Sequence, residues 1–285
     1  MPDRREGVGG GRPSPAAGRA AMAQAARGVC MGAADVVPGV SGGTVALVLG
    51  IYERLIATIG HAAGAAGRLL RGDARGSRTA LGRIDWGFIV PLLAGIAAAF
   101  VTLARAIEHL LAEHPISLSA LFFGLVAASA VVAHGHIRRP ARLHLAIALG
   151  SGAITFALLG FGSGAVEEAT LLRVFGSGAL AICAMILPGI SGSFILLMIG
   201  MYDLMIGALN DRDLPVIVVF ILGCAVGLGL FARLLARLLR THHDVLMAAL
   251  IGLMLGSLRV LWPWPEGTES AALGPPPADG WPAPA

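Results

Sequence analysis

The chain contains no lysine; all 21 basic residues are arginine. That excludes the Walker-A phosphate loop and Schiff-base chemistry, both of which need a lysine amine. Charge of either sign is scarce, at 13% of 285 residues, against about a quarter in ordinary globular domains. The three cysteines, Cys30, Cys183 and Cys224, lie in apolar surroundings and form neither a disulfide framework nor a C-x-x-C metal pattern. They read as small buried hydrophobes. Residues 1–20 hold no apolar run, so they offer no h-region for a cleavable signal peptide.

What fills the chain is apolar. The hydrophobic fraction is 56% and the mean hydropathy +0.79, the composition of an integral membrane protein. The formal charge of +4 does not point to nucleic acid, because the arginines are parcelled into short loops between apolar runs. Seven apolar elements are predicted over 27–58, 86–107, 116–134, 143–162, 174–209, 214–236 and 244–262. They make one membrane domain over 27–262. Tails over 1–26 and 263–285, rich in Gly and Pro, are expected to be disordered.

Two of the elements are broken, and they spell the same thing. Residues 38–53 read PGVSGGTVALVLGIYE and residues 188–203 read PGISGSFILLMIGMYD. With a shift of 150, Pro38 meets Pro188, Ser41 meets Ser191, Gly50 meets Gly200 and Tyr52 meets Tyr202. With a shift of 128, Gly95 meets Gly223, Arg105 meets Arg233 and Gly124 meets Gly252. The first half therefore carries 22 extra residues, which fit an Arg- and Gly-rich loop around 60–85. Repeat 1 covers about 27–134 and repeat 2 about 174–262, with the helix at 143–162 between them.

Sidedness follows from the arginines. If each broken element is a re-entrant hairpin, the N-terminal tail and loops 54–83, 135–142 and 233–244 share one face. That face then holds 17 of the 21 arginines. If each broken element crosses once, loop 54–83 falls opposite the Arg-rich tail and the positive-inside bias is lost. The expected fold is thus all-α, with each half a Pro-Gly-broken re-entrant hairpin plus two transmembrane helices. The N-terminus is expected on the cytoplasmic side of the plasma (inner) membrane. Three ordinary crossings separate the hairpins, so the halves are expected to be inverted, with their tips facing each other near the midplane. A Pro-Gly break in an apolar segment, present once in each half, is the best pointer to a transport site.

At each tip a helix restarts with Pro38, Gly39, Ser41, Gly42, Gly43 and Thr44, or with Pro188, Gly189, Ser191, Gly192 and Ser193. Amide hydrogens without internal acceptors, bare glycines and hydroxyls together suit a phosphate or a carboxylate. Close helix packing by small residues is the other reading of the same residues. Asp35, whose repeat partner is Met185, is an acid at membrane depth. It reads as a proton or sodium coupling group, or as a cap on a half-helix end. Glu53 and Asp203 stand at matched positions beside Tyr52 and Tyr202, as coupling groups or as interfacial anchors. Arg105 and Arg233 either hand phosphate to the tips or snorkel to headgroups.

Gly39-Val40-Ser41-Gly42-Gly43 also fits G-x-S-x-G, but that pattern needs a strand–turn–helix and a partner His and acid. A duplicated nucleophile has no catalytic rationale, whereas a duplicated binding tip has one. His134-x-His136 and His242-His243 read as loop histidines rather than metal ligands. No cofactor is expected.

The strings at 32–55 and 187–203 resemble the polyprenyl-phosphate transporter family, a group of inner-membrane proteins. Nearly the whole membrane portion, about 27–262, shares the resemblance. It implies a flippase returning undecaprenyl phosphate, the lipid carrier of envelope sugars, from the outer to the inner leaflet. The second motif departs at Ser193 and Phe194, where the first has Gly43 and Thr44, so the tips need not bind phosphate equally. Competing readings are a small-anion transporter or channel and an intramembrane serine hydrolase. The residues leave the oligomeric state open.

Overall fold

The computed structural model describes residues 15–36, 40–160 and 169–263. The regular structure in them is helical throughout. The first helix, α1 (Pro15–Val36), begins well before the expected start at 27. Residues 15–26, assigned to a tail by their lack of hydrophobicity, continue it instead. They are rich in alanine, the strongest helix former, and Pro15 sits at the first turn, where its missing N–H costs nothing. The other tail residues, 1–14 and 264–285, lie outside the described residues.

Each broken element breaks twice. After α1 ends at Val36 comes α2 (Gly42–Val48), then a second break and α3 (Tyr52–Leu70). The second half repeats this as α8 (Leu171–Ile186), α9 (Gly192–Met198) and α10 (Tyr202–Asn210). The second breaks are paired Schellman ends. Gly50 and Gly200 take the left-handed conformation at φ 67° and 69°. Ile51 N donates to Ala46 O and Met201 N to Leu196 O, both at 2.9 Å. The α9–α10 pair is bent by 110°.

The stretch expected as a loop at 60–85 is mostly helix. It completes α3 and adds α4 (Ala74–Leu81), whose N-cap Asp73 accepts from Gly76 N at 2.8 Å. The remaining helices are α5 (Trp86–Glu113), α6 (Pro115–His134), α7 (Arg142–Leu158), α11 (Leu214–Thr241) and α12 (His243–Ser257). Both ends of α5 and α11 coincide at the shift of 128, each helix with an aspartate N-cap, Asp85 or Asp213. Helices α5, α6 and α11 are long and apolar enough to cross a membrane. Helices α7 and α12 stop at 158 and 257, short of the expected 162 and 262. The chain is an all-α, multi-pass helical bundle.

One close glycine crossing is also doubled. Gly95 of α5 lies under the Ala25 carbonyl of α1, and Gly28 of α1 under the Leu92 carbonyl of α5. At the repeat-related crossing, Gly223 meets the Phe175 carbonyl and Gly178 the Phe220 carbonyl. A Cβ at any of these positions would collide with backbone, which cannot step aside. Gly95→Val and Gly223→Val are therefore expected to destabilise by ~3 kcal/mol, the upper end for overpacking. Thermal unfolding in detergent, compared with Gly18→Val in open space on α1, checks this.

Several polar contacts gather at one end of the bundle. Arg54 Nε donates to Asp85 Oδ2 at 3.0 Å, with its guanidinium over the Phe88 ring. His243 bridges Glu53 Oε1 and Asp244 Oδ1, at 2.9 Å each. Asp244 also accepts from the backbone amides of Arg138 and Arg139 at 3.1 and 3.0 Å. These contacts hold its carboxyl at about 2, through the His243 hydrogen bond first and the two amides next. The stabilisation is present above the ordinary carboxylate range and is lost as pH falls through about 2.

Candidate functional site

The two motifs meet in the interior. Ser41 is fully buried and N-caps α2, its Oγ accepting from Gly43 N at 3.0 Å. The same Oγ lies 3.1 Å from Met185 O and 3.1 Å from Leu187 O. These carbonyls stand where the ladder of α8 runs out, Leu187 O otherwise accepting only a long bond from Ile190 N at 3.5 Å, so one hydroxyl serves both halves. Thr44 Oγ1, buried, accepts from Gly189 N at 2.8 Å. Gly43 has no room for a Cβ, because the Ile186 carbonyl would stand 2.7 Å from it. Ser41, Gly43 and Thr44 of the first tip therefore clasp 185–189 of the second.

Asp35 lies at the same place. Gly42 N donates to its Oδ1 at 2.6 Å, and a Cβ on Gly42 would stand 2.5 Å from Oδ2. The cap that the sequence left as one of two readings is present: the chain's own carboxylate accepts from the first amide of α2. The second tip has no such acid, its repeat partner being Met185. There Ser191 starts α9 without a side-chain cap bond, and its Oγ lies 2.8 Å from Ser193 Oγ. Ser191 is buried and Ser193 exposed, so the hydroxyl pair runs from interior to surface. Gly192 packs under the Ala181 carbonyl, and Gly189, at φ 87°, packs against Met254 and Ser257 of α12. Pro188 is fully buried. Pro38 and Gly39 lie outside the described residues.

The outlying candidates do not join this cluster. Arg105 is exposed on α5. Arg233 donates to Ala63 O of α3 and lines two neighbouring cavities there. Glu53 faces His243 at the polar end, and Asp203 is exposed in the first turn of α10. Two sets of residues escaped the sequence reading. Met254 and Ser257 back the second tip through a contact between distant segments that no local pattern announces. Arg68 and Arg71 line a cavity with Arg233. The spacing of Arg54, His61 and Arg68, seven apart on a helix, was a usable sign of a polar face.

Among the described residues no group of His, Cys, Asp and Glu is arranged to hold a metal. The tips offer hydroxyls, backbone amides and one carboxylate, an inventory for binding.

The family model described as VCA0040-like, undecaprenyl phosphate translocase-like, matches residues 31–273. A polyprenyl-phosphate transporter of Vibrio cholerae serotype O1 is 42% identical over 244 residues, covering 84% of this chain and 77% of the relative. A polyprenyl-phosphate transporter of Staphylococcus aureus is 30% identical over 257 residues, covering 83% and 84%. No solved structure matches. Doubled broken helices buried in a multi-pass bundle, and relatives named as transporters rather than enzymes, converge: the chain belongs to the undecaprenyl-phosphate translocase-like family of polyprenyl-phosphate transporters.

Proposed function

We propose that the protein is a flippase for undecaprenyl phosphate or a related polyprenyl phosphate, moving it from the outer to the inner leaflet. The phosphate is held where the paired tips meet. Family membership supports the substrate class. The observation that carries the site is the clasp of the first tip onto residues 185–189, which brings both motifs to one buried place.

At seven residues each, α2 and α9 are too short for a helix dipole to dominate. The useful groups are local: the amides of Gly192 and Ser193 and the hydroxyls of Ser191 and Ser193. In the first tip Asp35 already occupies the amide of Gly42. A phosphate therefore engages the second tip first and reaches the first only if Asp35 yields. Protonation of Asp35 or its pairing with sodium would let it yield. That gives coupling a structural meaning, because inward movement of a dianion opposes the membrane potential by roughly 4–5 kcal/mol per 100 mV. Pro38, Gly39, Pro188 and Gly189 are counted with the tip residues, while Arg105 and Arg233 serve as way stations outside the tips. Glu53 and Asp203 are secondary coupling candidates.

The halves are read as inverted re-entrant repeats. In support, residues 53–54, 85, 138–139 and 243–244 meet at one end of the bundle, all beside loops assigned to the Arg-rich face. The polyprenyl tail stays in lipid while the protein shields only the headgroup, whose bare transfer into hydrocarbon costs on the order of tens of kcal/mol.

Fluorescent polyprenyl phosphate in proteoliposomes tests this reading. Inward movement is expected to depend on the protein and to resist millimolar inorganic phosphate. Uptake of inorganic phosphate without lipid movement would identify a small-anion transporter instead.

A further inference from the structure

We propose a second phosphate-binding site, separate from the tips, in the cleft where the α3–α4 hairpin packs on the last turns of α11. Arg68, Arg71 and Arg233, with Gly64 and Gly67, line a cavity of 310 Å³. His61, Arg233 and Arg240 line an adjoining one of 220 Å³. Arg233 is common to both, so the two form one cationic groove.

Two of the arginines are held by backbone carbonyls rather than by acids. Arg233 is anchored by donation to Ala63 O, and Arg68 Nη1 donates to Gly76 O at 3.1 Å. Backbone carbonyls fix the guanidiniums without cancelling their charge. The acids nearby are committed elsewhere: Asp73 caps α4, Asp85 pairs with Arg54, and Glu53 faces His243. A Cβ on Gly67 would stand 3.1 Å from Arg233 Nη2, so glycine leaves the guanidinium its place. Forked guanidiniums converging on one space recognise phosphate oxygens.

The ligand is a lipid phosphate, because the groove is edged with exposed apolar side chains. Leu69 is 60% and Leu70 89% exposed, one and two residues from Arg68. Apolar residues alternating with arginine on a helix hairpin are the composition of an interfacial segment. The later part of the hairpin, with Arg68 and Arg71, lies in the 22 residues that the second half lacks, where α10 ends at Asn210 and α11 starts at Leu214. The groove therefore exists at one end only and gives an otherwise doubled molecule a polarity. It does not depend on the tips binding phosphate.

The test uses the full chain in phosphatidylcholine nanodiscs carrying a few mole per cent phosphatidic acid. Phosphatidic acid retained per protein after purification is read by mass spectrometry. Wild type is expected to enrich it, and Arg68→Gln with Arg71→Gln to lower retention at least tenfold. Arg75→Gln with Arg78→Gln, which removes the same charge from α4 outside the cavity, is expected to keep it. Equal retention by wild type and the Arg68/Arg71 variant, or equal loss in both variants, would overturn the proposal. Displacement by inorganic phosphate shows that the headgroup alone is recognised, and resistance to it shows that the lipid is. Because binding is read without transport, a protein whose tips fail still answers the question.

Discussion

Ser41→Ala is expected to unfasten the two halves, with a loss on the order of 2–3 kcal/mol in stability and at least a tenfold loss in lipid movement. The methyl group fills most of the space, so the cost is not a cavity. It is the loss of the only acceptor of the buried Gly43 N–H, and of the one hydroxyl hydrogen that Met185 O and Leu187 O share at the half-buried end of α8. No water channel is needed to see why this is costly, since Ser41 is fully buried. Thr44→Val, close in shape, leaves Gly189 N without its acceptor and should act in the same direction by about half as much. Thermal unfolding of both variants, and of the pair together, measures the coupling. Strict additivity would show that the two bonds fasten independent segments rather than one junction.

Asp35 carries the second large effect, and two substitutions separate its two roles. Asn keeps an oxygen for Gly42 N and removes the charge; Ala removes both. If the carboxylate couples transport to an ion gradient, Asp35→Asn folds normally yet moves lipid at a rate indifferent to imposed proton or sodium gradients. If it is a cap alone, Asp35→Asn behaves as wild type and only Asp35→Ala is destabilised, by about 1.5–3 kcal/mol for a lost charged hydrogen bond. Gly42→Ala should resemble Asp35→Ala, because its Cβ would stand 2.5 Å from the carboxylate. Rates in vesicles with and without a gradient decide between the two.

Much of this architecture was readable from residue pattern. The doubling was, because identical kink residues recur at a constant spacing and the helix ends follow it to the residue at Gly42 and Gly192. The charge count of the loops bears on sidedness, whereas the contact of the two motifs is seen in the bonds of Ser41 and Thr44 to residues 185–189. Other features resisted for identifiable reasons. Residues 15–26 are helical by alanine propensity but not hydrophobic, so a search for apolar length passes over them. The α3–α4 hairpin is Arg- and Gly-rich and reads as a loop; it is ordered by tertiary contacts such as Ser77 Oγ to Ala65 O at 3.0 Å. The second breaks hinge on single glycines at 50 and 200, whose left-handed role is invisible without the surrounding turn. The sharing of Ser41 between halves links residues 144 and 146 positions apart, beyond any local rule.

That sharing also changes how the site is to be tested. A Ser41 variant mixes loss of the fastening with loss of a ligand, whereas Ser191 and Ser193 are bonded to each other and cap nothing. The decisive measurement is inward movement of fluorescent polyprenyl phosphate by the Ser191→Ala, Ser193→Ala double variant, reconstituted at wild-type yield and unfolding temperature. Movement reduced a hundredfold or more is the predicted result. A wild-type rate from that protein would contradict the assignment of the headgroup to the paired tips.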